Sequence, residues 1–129
     1  MDRRRFLVAA AAGAVTVAAD GPRALASRLG GVPVAFVTAD LESHVAVVDL
    51  ETRELIRHIR TGPGPRSIES VHDTLALVGH SEHGVVTVLD AATSRIRAEL
   101  DRFEQPRYAA VHPRRPLAYV TDSAAEEVV

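Results

Sequence analysis

Short runs of apolar residues alternate with polar, turn-forming segments from residue 34 onward. The runs at 35–38 and 45–48 return 41 residues later, at 76–79 and 86–89. A third copy opens 42 residues after the second, at Ala118-Tyr119-Val120-Thr121. Aliphatic and β-branched runs of this length, bounded by Gly, Asp and Pro, predict β-strands.

The runs predict ten strands in repeats of four, with the third repeat reaching only its second strand. The predicted strands lie near 34–39, 44–50, 54–60, 66–71, 75–79, 84–90, 95–101, 107–112, 117–121 and 126–129. A period of 40 to 45 residues built of such strands is typical of a β-propeller blade. The sequence therefore predicts an all-β fold: a β-propeller of four-stranded antiparallel blades near 34–74, 75–116 and 117–129, about two and a half blades in all.

The pattern within each strand indicates its place in a sheet. The run at 85–89 is almost continuously apolar, as expected where both faces of a sheet are covered. The strands near 54–60 and 95–101 interleave Arg with Leu and Ile, which is typical of an outer edge. Asp49 and Asp90 end their strands just before turns, where we expect each carboxylate to accept hydrogen bonds from turn amides.

Residues 1–26 have the order of an export signal: a basic start, an apolar run too short to span a bilayer, and small residues at the end. The Arg-Arg-x-Phe-Leu order resembles a twin-arginine signal. The residues that carry the signal are Arg3, Arg4, Arg5, Phe6, Leu7, Ala24 and Ala26. A general secretory signal or an uncleaved anchor is the alternative. We expect a protein exported to the periplasm or outside the cell, with residues 27–33 as a linker.

Several repeated segments resemble the YVTN-type β-propeller repeat, whose consensus is roughly Tyr-Val-Thr-Asn, Val-Ser-Val-Ile-Asp-x-x-Thr and Gly-x-x-Pro. The matching segments are Phe36-Val37-Thr38, Val47-Val48-Asp49 with Thr52, Gly64-Pro65-Arg66, Val111-His112-Pro113 and Ala118-Tyr119-Val120-Thr121-Asp122. The consensus Asn is replaced by Ala39, His80 and Asp122 in the three copies. The resemblance covers residues 34–129 and implies that the strands after Pro65 and Pro106 are innermost, lining a central channel.

Closed propellers have about four to eight blades. The sequence therefore predicts either the N-terminal part of a longer protein or a ring assembled from several chains, and an oligomer is expected only in the second case.

Histidine offers one candidate site. His80 and His83, with Glu82 between them, lie in the predicted loop between the first two strands of the second repeat, and His44 ends the equivalent loop of the first. Equivalent loops of neighbouring blades share one face of a propeller, so these side chains are candidates for a zinc or copper site. The alternative is that the imidazoles are solvated loop side chains.

Arginine offers the second candidate site. Arg66 and Arg107 each follow a Pro at the start of what the resemblance implies is an innermost strand. A pair of guanidinium groups at the channel mouth suits an anionic ligand, because each presents a planar fork of donors. The alternative is that each Arg is tied to backbone or to an acid such as Asp40 or Asp122.

Composition narrows the function classes. The formal net charge is −2, all fifteen basic residues are Arg, and there is no Cys. This balance gives no electrostatic footprint for nucleic acid or an anionic membrane, and it excludes disulfides and thiolate metal sites. We therefore favour a non-catalytic exported propeller that binds a small molecule or a protein. The alternatives are a lactonase-like or dehydrogenase-like propeller enzyme, without identifiable catalytic residues, and a periplasmic metal carrier.

Overall fold

The computed structural model describes residues 33–129, which form β-strands and one short 3₁₀ turn. The elements are β1 Val34–Ala39, the 3₁₀ turn Asp40–Glu42, β2 His44–Asp49, β3 Leu55–Arg60, β4 Pro65–Val71, β5 Leu75–His80, β6 Val85–Asp90, β7 Arg95–Leu100, β8 Pro106–Val111, β9 Ala118–Asp122 and β10 Glu127–Val128. The all-β prediction is confirmed, and a strand is present at each predicted position. The segment proposed as an export signal lies outside the described residues.

The strands form three antiparallel sheets, with the orders β1-β2-β3, β4-β5-β6-β7 and β8-β9-β10. The sheets do not have the bounds 34–74 and 75–116 predicted from the repeats, because the fourth strand of each repeat pairs with the strand that follows it. A tight turn joins β4 to β5, with Val71 opposite Leu75, whereas the segment 61–64 carries the chain from β3 to the next sheet. The second and third sheets therefore each begin one strand earlier than the corresponding sequence repeat does: β4, the fourth strand of the first repeat, is the first strand of the second sheet.

Each sheet has two faces, which we name by equivalent positions of the repeat. Neighbours along a strand point to opposite faces. The front faces of the first, second and third sheets carry Phe36, Leu77 and Tyr119, respectively, and the back faces carry Val37, Val78 and Val120. β4 packs beside β1 on one side and beside β8 on the other. The first strands of neighbouring sheets thus lie close together.

Two hydrophobic clusters join the sheets, each between a front face and a back face. The first cluster consists of Val34, Phe36, Val45, Val47 and Ile59 from the first sheet with Ile68, Ala76, Val78 and Leu89 from the second. The second consists of Leu77 and Val86 from the second sheet, Phe103, and Ala109, Val120 and Val129 from the third. The second sheet is therefore covered on both faces, which explains the continuous apolar run of β6.

The predicted roles of two acids and two edge strands are confirmed. Asp49 accepts hydrogen bonds from the backbone N–H groups of Glu51 and Thr52, at 2.7 and 3.0 Å. Asp90 accepts from the backbone N–H and the hydroxyl of Thr93, at 2.8 and 2.9 Å, and these bonds lower the pKa of Asp90. β3 and β7 are the far edges of their sheets. No helix in the described part of the chain is long and apolar enough to cross a membrane.

Candidate functional site

Arg66 and Arg107 occupy the same special backbone position in two sheets. In the second sheet Pro65 pairs with His80 and Ser67 with Gly79, so that Arg66 is an extra residue in the ladder. In the third sheet Pro106 pairs with Asp122 and Tyr108 with Thr121, which leaves Arg107 as the extra residue. Both arginines therefore lie at β-bulges, which bend a strand and redirect a side chain.

Both arginine side chains are exposed. Within residues 33–129 neither guanidinium makes a hydrogen bond or an ion pair. The alternative that backbone or an acid such as Asp40 or Asp122 holds them is not met within residues 33–129, where no such contact is made and backbone amides engage the Asp122 carboxylate. Two cations thus stand at the starts of β4 and β8, which are neighbouring strands.

Arg107 also borders a cleft between the second and third sheets. The cleft is lined by Ser67, Leu77, Gly79, Val86, Pro106, Arg107, Tyr108, Ala109 and Val120. Its volume is about 10 Å³, roughly the room for one water molecule. A ligand of Arg107 must therefore bind at the surface, outside this cleft.

His80, a predicted metal ligand, is fully buried and uses both ring nitrogens within the protein. Its Nδ1 lies 2.9 Å from the carbonyl oxygen of Pro63, and its Nε2 lies 2.8 Å from Oγ1 of Thr87. Because a carbonyl can only accept, Nδ1 donates to Pro63, and in the neutral ring Nε2 accepts from the Thr87 hydroxyl. His80 therefore anchors the segment that leads into β4, and its lone pair is already in use.

Asp122 stands at the equivalent position of the third sheet and anchors the segment that leads into β8. Its buried carboxylate accepts hydrogen bonds from the backbone N–H groups of Glu104, Gln105, Ala124 and Ala125, at 2.6 to 3.3 Å. Burial opposes the charged form, but the four amides outweigh it and lower the pKa of Asp122. The charged carboxylate thus stabilises the fold by holding these backbone amides.

The three histidines of the predicted metal site are not brought together. His44 stacks on His58, with ring centroids 4.1 Å apart and planes 7° from parallel, and its Nδ1 lies 3.2 Å from the carbonyl oxygen of Glu42. His83 is an exposed loop residue. Among residues 33–129 no group of three or more His, Asp or Glu side chains is arranged to hold a metal ion.

The sequence reasoning missed two features of this region. The strand pattern predicts a loop position for His80, and Asp122 is an acid that could hold one of the two arginines, although both residues stand where the repeat consensus has Asn. That alignment was the available signal, since His80 and Asp122 anchor loops at the same place in the second and third repeats, whereas the first repeat has Ala39 there. The bulges at Arg66 and Arg107 carry no comparable signal, because only the ladder register reveals them.

Comparison with known proteins gives a likeness of fold. No protein-family model and no curated protein matches the chain. Among solved structures, a chain of Kuenenia stuttgartiensis hydrazine synthase is similar, with a TM-score of 0.64 and 19% sequence identity. The match covers 74% of this chain and 31% of that one, so this chain spans about a third of the length of its structural neighbour. At this identity the similarity concerns the path of the backbone.

Proposed function

We propose that the three sheets are blades of a YVTN-type β-propeller, with β4 and β8 as innermost strands. Three observations support the proposal: the repeat of about 41 residues, the antiparallel order β4-β5-β6-β7, and the packing of β4 between β1 and β8. Blades of a propeller are arranged around a central channel, and the face-to-face packing of these sheets supports the proposal.

The function that we propose for this propeller is non-catalytic binding of an anionic ligand by Arg66 and Arg107. The observation that carries this proposal is the repeated bulge, which places an exposed guanidinium at the start of β4 and again at the start of β8. Neither guanidinium is occupied by an acid within residues 33–129. The ligand is a phosphate-bearing or carboxylate-bearing small molecule, or an acidic segment of a protein.

The chemistry of the pair suits a ligand with two anionic groups or one phosphate. Each guanidinium can donate two parallel hydrogen bonds to two oxygens of one group, and charge-assisted bonds of this kind are about twice as strong as neutral ones. Since the arginines are exposed, their attraction is screened by salt. Binding should therefore weaken as ionic strength rises.

The test is calorimetric titration of the purified full chain with inorganic phosphate and with succinate. We expect R66Q/R107Q to weaken binding by more than about tenfold, the loss of one charge-assisted interaction or more. The matched control is R60Q/R95Q, which removes the same charge from exposed positions on the outer strands β3 and β7. Equal loss in both double variants would mean that binding follows net charge alone and would overturn the proposal.

We also propose that the protein is exported through the twin-arginine route and acts in the periplasm or outside the cell. The support is the order of residues 1–26, with Arg3-Arg4-Arg5 before the apolar run. Replacement of the three Arg by Lys should block export, and mass spectrometry of exported protein should find Ser27 at the N-terminus. Unchanged export of the Lys variant would point to the general secretory route.

A further inference from the structure

The front face of the third sheet is apolar and bare within the described residues. Tyr119 is 44% exposed and Val128 is 64% exposed. At the equivalent positions of the first sheet, Phe36 is 1% exposed and Val45 is fully buried, because the back face of the second sheet covers them. Equivalent positions of the repeat are thus buried in the first sheet and exposed in the third.

Within residues 33–129 two front faces are covered, each by the back face of the next sheet. The front of the first sheet packs on the back of the second, and the front of the second packs on the back of the third. In the first contact Phe36 and Val45 meet Val78 and Leu89. In the second, Leu77 and Val86 meet Val120 and their neighbours. The surface that fits a front face in this protein is therefore the back face of an equivalent sheet.

The back face of the first sheet is also uncovered by the described residues. Val37, which is equivalent to the buried Val78, is 38% exposed, and Leu55 on the same face is 55% exposed. The described residues thus carry both halves of a third contact of the same kind. The two halves lie at opposite ends of the row of three sheets, so one copy cannot pair them without bending back on itself.

We propose that two copies of this chain associate through these faces, the front of the third sheet of one copy packing on the back of the first sheet of the other. Residues 33–129 of each copy contribute three sheets, and two copies related by a twofold axis would place these six described sheets in one ring, within the usual four to eight blades of a closed propeller. Tyr108 is 68% exposed and lies opposite Thr121, on the same front face as Tyr119, where it adds a second aromatic anchor of the type that is enriched at interfaces.

The first test is the mass of the purified full chain in solution, by size-exclusion chromatography with light scattering. We expect twice the mass of one chain, and we expect Y119R and V37R each to raise the dimer dissociation constant by more than about 100-fold, because each places an unpaired charge in the contact. The matched control is L41R, since Leu41 lies in the 3₁₀ turn and is 97% exposed. Circular dichroism checks that each variant folds. A wild-type monomer would overturn the proposal.

The second test identifies the two faces directly, since the chain has no Cys of its own. V37C and Y119C are purified separately, mixed, and treated with a bismaleimide of about 10 Å span, the usual distance between packed sheets. We expect a covalent heterodimer from the mixture and little product from either variant alone. L41C mixed with Y119C is the control. An equal yield from the control mixture, or no product from V37C with Y119C, would overturn the proposal whatever the measured mass.

Discussion

The second and third sheets each hold the segment before their first strand with one side chain, but that side chain donates a hydrogen bond in one sheet and accepts hydrogen bonds in the other. In each, the side chain at the end of the second strand holds the segment that leads into the first strand: His80 holds 61–64 in one sheet, and Asp122 holds 103–105 in the other. His80 donates to a backbone carbonyl, whereas Asp122 accepts from backbone amides. The same repeat position thus carries an anchor in both of these sheets, a donor in one and an acceptor in the other, and the incoming segment decides which is needed.

The largest expected effect is the loss of the His80 anchor. His80→Ala removes two buried hydrogen bonds and leaves a cavity in the second sheet, so we expect the free energy of unfolding to fall by about 2 to 4 kcal/mol. Chemical denaturation measures this change. His83→Ala is the control, an exposed His three residues away that should change stability by less than about 0.5 kcal/mol. Equal effects of the two variants would show that His80 is no anchor.

The second largest effect is expected from substitutions at Gly84 and Glu126, which occupy equivalent turns of the second and third sheets. Gly84 and Glu126 both have positive φ, at 63° and 55°, but a Cβ at Gly84 would collide with the carbonyl oxygen of Phe103. We expect Gly84→Ala to destabilise by about 1 to 3 kcal/mol. Glu126→Gly should instead be neutral or stabilise by up to about 1 kcal/mol, because Gly accepts this conformation without strain. Thermal melts of both variants check the opposite signs.

The contribution of Asp122 to stability should depend on pH. Its pKa is lowered in the folded protein, so it contributes stability that is present above the unfolded pKa of about 3.9 and is lost as pH falls through the folded value. We expect Asp122→Asn to lower Tm at pH 7 and to reduce the loss of Tm between pH 5 and pH 3. Parallel Tm curves for variant and wild type over that range would contradict this role.

The smallest effect concerns Glu69 on β4, which corresponds to Ala110 on β8. Burial raises the pKa of Glu69, so its charged form is disfavoured by folding, and stability is lost as pH rises through the folded pKa. Glu69→Gln should therefore stabilise the protein at pH 7 by less than about 1 kcal/mol, and this gain should vanish near pH 4. If the gain in stability persists at pH 4, the charge of Glu69 is not its cause.

Strand positions were predictable because each run of apolar residues has a clear length and boundary, and Asp49 and Asp90 were predictable because turns need acceptors. The grouping into sheets was not, since a four-strand repeat can be divided after any of its strands, and only the pairing of Val71 with Leu75 places the division after β3. The role of His80 was also hidden. Its partner Pro63 is 17 residues away in sequence, and only the alignment of His80 with the consensus Asn distinguishes it from a solvated loop residue.

The most direct test of the central claim, that the bulged arginines bind one anion together, is NMR of the arginine Nε–H groups during titration with inorganic phosphate. The signals of Arg66 and Arg107 are assigned by their loss in R66Q and R107Q. The account predicts that both signals shift along one saturating curve with a common Kd, while the other assigned arginine signals stay near their starting positions. Shifts spread evenly over all arginines, or no shift at Arg66 and Arg107, would contradict it.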